Sequence, residues 1–411
     1  MLIEVLEPRQ LLAAAYPTDL EQYFVELTNR ARMNPTAEAK RFGIDLNEGL
    51  APGTLASTPR QPLAINPFLT SAARKYSTAL LNPPTGANPN KGQLDHLLNG
   101  TTPWGRAQAE GYPSGLVSEN LVWSSKSNTT ATMADVEKGH ELLFKDFTAS
   151  FEVVGRGHRK NILNGDRKEI GIGLVVGPFG NWTAHVGTQD FGTNGPGVFL
   201  TGVVFTDKVV DNDFYTPGEG IGGITIKAVR STDKKAFSTK SWASGGYSLG
   251  IEAGVYTVTA SGSALGTTQT LYNVIVSKQN VKVDFIKPGN ADQTAPTVTL
   301  IANTLAKPGT SPHTFTVTYR DMHALKAASI GNGDILVTGA GFSMAAKLVN
   351  KTPGTDGVSI VATYCIGPRG AAWDAADNGV YAVKLAANQV SDAAGKFAAA
   401  TTLGSFRVAI T

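Results

Sequence analysis

The sequence changes character near residue 196, and this change limits the folds that the chain can adopt. Before it, apolar residues recur at helical spacing, as at Leu20, Phe24 and Leu27. After it, short alternating segments rich in Val, Ile, Thr and Tyr are separated by Gly, Asp and Asn, as in Val198–Phe205. We therefore expect a mixed α+β region followed by all-β sandwiches.

Helix-start signals place the first elements. Thr18 and Glu21 form a capping-box pattern at the start of the first helix. Asn66 followed by Pro67 starts a second helix, and the apolar spacing predicts a third from about residue 132 to 147. Strand-like runs follow at 170–176 and 183–187. These elements predict an α+β domain that ends near residue 192.

Composition excludes several classes of protein. A length of 411 residues suggests two to four domains, and the longest apolar runs are too short for a membrane-spanning helix. A formal net charge of +3 gives no electrostatic case for nucleic acid binding. The single cysteine, Cys365, excludes an internal disulfide and a four-cysteine zinc site. A single cysteine is usual in cytosolic proteins, but exported bacterial proteins also fold without disulfides. Both compartments therefore stay open.

The first 16 residues do not form a regular signal peptide, because Glu4, Glu7 and Arg9 interrupt the apolar stretch. The run LEPRQLLA at 6–13 resembles a leader segment of exported planctomycete proteins. Residues 1–16 are therefore expected to be a leader or targeting remnant, the alternative being a frayed terminus.

Four polar residues of the N-terminal region are candidates for chemistry: His96, Glu119, Asp146 and His158. A histidine beside a carboxylate can act as a general base, since the carboxylate fixes the imidazole tautomer. Two histidines and a carboxylate can equally hold zinc. The spacing alone does not show that these residues meet, so both possibilities stay open.

Five stretches carry a family resemblance, in chain order: LTNRAR at 27–32, PLAINPFL at 62–69, SENL at 118–121, GHRKNIL at 157–163 and TQDFG at 188–192. With them, residues 17–192 resemble the CAP superfamily of cysteine-rich secretory, antigen 5 and pathogenesis-related proteins, in its cysteine-free bacterial branch. The resemblance implies a three-layer α-β-α sandwich over 17–195. It also implies a cleft with two histidines, His96 and His158, and two acids, Glu119 and Asp146, with Glu141 as the fallback for the second acid.

The resemblance also implies a function. CAP domains are credited with binding sterols, lipids or surface partners, so we expect a small hydrophobic ligand or an extracellular partner in the cleft. The alternative is a metal-dependent hydrolase with zinc on His96 and His158, since no G-x-S-x-G motif supplies a nucleophile. His140 and His185 are expected to be structural.

The second half resembles modules of bacterial surface proteins. Residues 196–290 resemble SdrD B-like or Cna-B-like repeats, through LTGVVF at 200–205 and PGEGIGGITI at 217–226. That resemblance implies a calcium site, whose candidate ligands are Asp207, Asp211, Asp213 and Glu219, with an ordinary polar turn as the alternative. Residues 291–411 resemble an Ig-like surface repeat, after a turn-rich linker at 287–296. The whole sequence thus predicts a secreted or cell-surface bacterial protein whose β-sandwiches act as spacers or adhesive modules.

Overall fold

A computed structural model describes the chain over residues 15–82, 93–113, 115–147, 152–194, 197–210, 212–287, 292, 294–339 and 341–410. The predicted leader lies outside the described residues except for its last two positions. The predicted calcium ligand Asp211 lies outside them as well.

The N-terminal part combines helices with one four-stranded sheet. Its helices are α1 (Asp19–Met33), α2 (Pro35–Arg41), α3 (Pro67–Leu81), α4 (Pro103–Ala109), α5 (Met133–Lys145) and α6 (Gly157–Ile162). Its strands are β1 (Ala64–Ile65), β2 (Val117–Lys126), β3 (Glu169–Phe179) and β4 (Trp182–Gly192).

The predicted helix starts are confirmed. The side chains of Thr18 and Glu21 form the capping box of α1. Asn66 accepts hydrogen bonds from the backbone N–H groups of Phe68 and Leu69 and so caps α3. These caps satisfy backbone donors that a helix cannot pair internally.

The sheet has the order β1-β3-β4-β2, with β1 parallel to β3 and the other pairs antiparallel. Helix α3 packs directly on β3, where Gly171 and Gly173 leave no room for a side chain. On the opposite face, Gly187 of β4 contacts Phe24 of α1. The predicted three-layer α-β-α sandwich is therefore confirmed.

The rest of the chain is mostly β. Its strands are β5 (Val198–Phe205), β6 (Thr225–Arg230), β7 (Ala236–Lys240), β8 (Gly246–Ile251), β9 (Gly254–Ser261), β10 (Gln269–Val276), β11 (Val281–Lys282), β12 (Phe285–Ile286), β13 (Thr297–Ile301), β14 (His313–Leu325), β15 (Ile335–Gly339), β16 (Phe342–Ala345), β17 (Lys347–Thr352), β18 (Gly357–Ile366), β19 (Gly379–Leu385) and β20 (Thr401–Val408). Four sheets result, with the orders β10-β9-β6-β7, β11-β5-β12 with β8 beside β5, β13-β14-β18-β17 and β16-β15-β19-β20.

The chain divides into two compact units. The first contains the described residues up to Gly202 together with Trp242–Glu252 and Ser277–Val283. The second contains Val203–Ser241, Ala253–Val276 and the described residues from Asp284 onward. The boundaries predicted at 195 and 290 stay predictions, and so does the Ig-like nature of the β modules. No helix in the described ranges has the length and apolar character needed to cross a membrane.

Candidate functional site

His96 and Glu119 form the first of two histidine–carboxylate pairs. Nδ1 of the exposed His96 lies 2.8 Å from Oε1 of Glu119, a buried side chain of β2. The other oxygen, Oε2, accepts a hydrogen bond of 2.5 Å from the guanidinium of Arg106 on α4. The same guanidinium donates to the backbone carbonyl of His96 and lies over the ring of Tyr76. Arg106 therefore holds both members of this pair in place.

Asp146 and His158 form the second pair. Asp146 follows the last residue of α5 in a left-handed conformation, with φ +61°, which aspartate adopts more readily than most residues. Its Oδ1 lies 2.6 Å from Nδ1 of His158, and its Oδ2 accepts the backbone N–H of Arg159 at 2.9 Å. Asp146 is fully buried, whereas the His158 side chain is 19% exposed. The histidine therefore has one side held by the protein and one side toward solvent.

Two asparagines connect the pairs. Asn120, the neighbour of Glu119 on β2, donates a hydrogen bond to the backbone carbonyl of His158. Asn161 of α6 donates to the backbone carbonyl of Glu119 and to the side chain of Asn120. The SENL and GHRKNIL stretches thus meet through their asparagines, and these bonds dock α6 against β2. Both pairs are attached to the same part of the sheet.

A family model described as "CAP: Cysteine-rich secretory protein family" matches residues 25–191. This range includes both histidine–carboxylate pairs, His96 with Glu119 and His158 with Asp146. Residues 25–191 form a CAP domain. A search of curated proteins gives no match to the chain.

The chain is also similar to several solved structures, and its sequence identity to each of them is low. An outer surface protein from Borrelia burgdorferi is 17% identical, with 42% of this chain and 91% of that chain covered and a TM-score of 0.24. A structure titled "Crystal structure of NaASP2 with Zn2+" is 12% identical, with 44% and 82% covered and a TM-score of 0.29. "Structure of BmVAL-1" is 12% identical, with 44% and 79% covered and a TM-score of 0.27.

The CAP domain contains a third buried acid beside the first pair. Asp190 of β4 is the direct partner of Glu119 in the β2–β4 register, and it is fully buried. Burial, together with the charge of Glu119, raises the pKa of the Asp190 carboxyl well above its usual range. In the sequence, Asp190 stands only as part of the TQDFG stretch at 188–192. No local signal singles it out, because its neighbours Thr188 and Gln189 are polar as well.

Each of the two pairs presents an imidazole nitrogen, which is a donor type that zinc binds. In each pair the carboxylate engages Nδ1, so Nε2 is the nitrogen left to take a ligand. A carboxylate on the second ring nitrogen is the usual support of a zinc-binding histidine. Within the described ranges, sets of three or more His, Cys, Asp or Glu ligand atoms lying within 4.8 Å occur in the second unit and not here. The zinc site on His96 and His158 therefore stays a prediction, in which water or a ligand would complete the shell.

The other candidates of the CAP domain lie apart from the two pairs. Glu141, the fallback acid, forms ion pairs with Lys138 and Lys145. His140 is buried beside Glu38, with Nε2 2.9 Å from Oε1 of that residue. His185 is also buried, and burial lowers its pKa to about 4. The structural interpretation of these two histidines agrees with their burial.

The predicted calcium ligands lie in the loop between β5 and β6. Both oxygens of Asp207 accept backbone hydrogen bonds, from Asn212 and Asp213. Glu219 likewise accepts the backbone N–H groups of Val209, Val210 and Thr216. Asp213, by contrast, accepts no hydrogen bond on either oxygen, and one of its oxygens lies within 4.8 Å of ligand atoms of Asp292 and His323, which are far along the chain. The calcium set as a whole stays a prediction.

Proposed function

We propose that this chain is a secreted or cell-surface bacterial protein whose CAP domain binds a ligand or surface partner at the two histidine–carboxylate pairs. The observation that carries the proposal is the matched geometry of these pairs, each with a buried carboxylate on Nδ1 and a histidine that reaches solvent. Burying two carboxylates is costly unless each is fully hydrogen-bonded. Here Arg106 and the Arg159 N–H complete that bonding, which supports a site built for recognition.

The surface beside the first pair supports a small apolar group as the ligand. A groove of about 210 Å³ lies between α3 and α4, and Arg106 and Tyr76 belong to its lining. Its apolar walls come from Ala72, Ala79 and Leu98. Sites for drug-sized molecules commonly measure about 300–1,000 Å³. This groove therefore suits an acyl chain or a partner's side chain better than a whole sterol.

Zinc titration of the full chain by calorimetry is the primary test. We expect His158→Ala to weaken zinc binding by about tenfold or more, because it removes one of two imidazole ligands. Asp146→Asn should weaken it by about tenfold, the scale of losses from altered supporting residues. Glu141→Gln is the matched control and should leave the affinity unchanged, since its carboxylate pairs with lysines instead.

Lipid binding tests the ligand class separately. We expect fluorescent fatty acids to bind the full chain, and Ala79→Trp, which fills the groove, to abolish that binding. If neither zinc nor an acyl ligand binds the parent, the recognition proposal is wrong and the CAP domain serves as a scaffold.

A metal-dependent hydrolase is the second candidate function. With their Nε2 atoms on the metal, His96 and His158 would hold the zinc, and the carboxylates on Nδ1 would orient the two rings. Bound zinc would lower the pKa of a coordinated water. Peptide and ester turnover by the zinc-loaded chain, lost in His158→Ala, would support this function. Turnover that is equal in parent and variant would exclude it.

The location and the roles of the β modules belong to the same proposal. We expect them to act as spacers or adhesive modules. Surface biotinylation of intact source cells tests the location, and we expect labelling of this chain but not of a cytosolic marker. Labelling only after lysis would contradict it.

A further inference from the structure

The second unit contains a cluster of four aspartates and one histidine that the CAP domain does not involve. Asp213 comes from the β5–β6 loop, Asp292 from the segment between β12 and β13, Asp321 and His323 from β14, and Asp392 from the segment after β19. Ligand atoms of Asp213, Asp292 and His323 lie within 4.8 Å of one another, and so do those of Asp292, Asp321 and Asp392. Asp292 belongs to both groups. The fold therefore assembles the cluster from four separate segments.

In three of the aspartates, one carboxylate oxygen accepts a backbone hydrogen bond and the other accepts none. Oδ1 of Asp321 accepts the backbone N–H of His323, Oδ1 of Asp392 accepts that of Lys396, and Oδ1 of Asp292 accepts that of Thr294. The Oδ2 atom of each is buried and has no hydrogen-bond donor within reach. These residues are therefore oriented by the backbone, with one oxygen left for something else.

Burial makes these unpaired oxygens significant. Asp392 is 0% exposed, Asp213 is 5% exposed with neither oxygen hydrogen-bonded, and Asp321 is 6% exposed. A buried polar atom without a partner destabilises a fold and calls for a water or an ion to satisfy it. Several such oxygens, in two groups that share Asp292, point to a cation.

The local electrostatics agree with that interpretation. Burial, with the charges of Asp292 and Asp392, raises the pKa of Asp321 to about 6. Burial also raises the pKa of Asp292, and Asp392 and Asp213 add to the effect. His323 faces the cluster, with Nδ1 at 3.5 Å from Asp213 and 3.6 Å from Asp292, and it is one basic group against four acids. The repulsion among the carboxylates is relieved by a divalent ion.

We propose that Asp213, Asp292, Asp321 and Asp392 bind a calcium ion. Calcium takes six to eight oxygen ligands in irregular geometry, which suits carboxylates from four segments completed by water. Zinc prefers nitrogen and sulfur in a tetrahedron, and this cluster offers one imidazole. His323 also belongs to the lining of a cleft of about 460 Å³.

One of the loop acids that the sequence pointed to, Asp207, acts here as a positioning residue. Asp213 has a left-handed backbone with φ +55°, and its N–H donates to Oδ2 of Asp207. Asp207 therefore stabilises the conformation from which Asp213 reaches the cluster. The proposed ion is bound by Asp213 together with aspartates from distant segments, so the β5–β6 loop by itself does not form the site.

The test uses the full chain after removal of divalent ions with a chelator. Calorimetry with calcium chloride should show one strong site, and calcium should raise Tm relative to chelator. Asp321→Asn and Asp392→Asn should each weaken calcium binding by about tenfold or more, because each removes a charged ligand. Asp233→Asn, an exposed acid of the same unit paired with Arg230, is the matched control and should bind like the parent.

Measurements on the chelated protein distinguish a role of these aspartates in calcium binding from a purely structural role. Without calcium, Asp321→Asn removes one repelling charge, so its Tm should equal or exceed that of the parent. With calcium, the order should reverse. Equal loss of Tm in both conditions, or no calcium effect on the parent, would overturn the proposal. Tighter binding of zinc than of calcium, abolished by His323→Gln, would also overturn it.

Discussion

Asp190 shows how a single buried residue changes the chemistry of the candidate site. It lies beside Glu119 in the sheet with no exposed surface, and two adjacent carboxylates in such a place cannot both ionise without a large cost. The raised pKa of Asp190 means that it holds its proton to a higher pH than an ordinary aspartate does, beside a Glu119 that is paired with His96 and Arg106. A protonated Asp190 can donate a hydrogen bond to Glu119, which an ionised one cannot.

The pH dependence of stability tests this assignment. A carboxyl with a raised folded-state pKa binds its proton more tightly when folded, so its contribution to stability is full below the unfolded pKa and is lost as pH rises through the folded pKa. Asp190→Asn keeps a donor of the same shape without titrating. We expect its Tm relative to the parent to rise as the pH is raised above about 4, the pKa of an unfolded aspartate. A Tm difference that stays constant with pH would show that Asp190 does not titrate there.

At the scale of elements, the close contact between α3 and β3 sets the thickness of the CAP domain. A Cβ on Gly171 would overlap the backbone of Leu69, and one on Gly173 would overlap the backbone of Ala73. Backbone atoms of a packed helix cannot move as a side chain can. These two glycines therefore let α3 lie directly on the sheet, which in turn places Tyr76 under Arg106.

Gly171→Ala should consequently be strongly destabilising. We expect a loss of about 3 kcal/mol in the free energy of unfolding, at the upper end of ordinary overpacking effects. Denaturant unfolding monitored by circular dichroism measures it. Gly165→Ala is the control, since a Cβ there would meet Arg60 at an ordinary 3.5 Å. Similar losses in the two variants would contradict the role assigned to the close helix contact.

At the scale of the whole molecule, the first unit is completed by residues from far along the chain. The Asn280 side chain donates to the backbone carbonyls of Pro62 and Lys168 and accepts the N–H of Phe199. Its own N–H donates to Gln61. Asn280 is 4% exposed, so these bonds form away from water, where losing them is costly.

Asn280→Ala should therefore destabilise the unit that contains the CAP domain. Three backbone groups would lose their partner, one in a buried and two in partly buried hydrogen bonds, and we expect a loss of about 3 kcal/mol. Asn128→Ala removes an exposed asparagine of the same unit and should change stability by less than about 0.5 kcal/mol. Calorimetric unfolding of both variants checks this. If Asn280→Ala unfolds like Asn128→Ala, the distant segment does not support the unit.

Local signals in the sequence determined the elements. Capping residues such as Thr18 and Asn66 mark helix starts because they act on neighbouring backbone groups, and the alternation in Val198–Phe205 marks a strand for the same local reason. The motifs also supplied His96, Glu119 and His158. The spacing could not decide between Asp146 and Glu141; in the structure Asp146 lies against His158 while Glu141 pairs with lysines.

Only the tertiary structure decided which distant groups meet. His323 had no partner that the sequence could indicate, and it lies against Asp213 from a loop much earlier in the chain. Asp190 became a titrating group of the site only through strand register and burial. Electrostatic interactions depend on distance in space and on exclusion of water, and neither is written in local sequence. The sequence by itself therefore determined the helices and strands and identified the candidate histidines. The fold determined which charged groups lie beside those histidines.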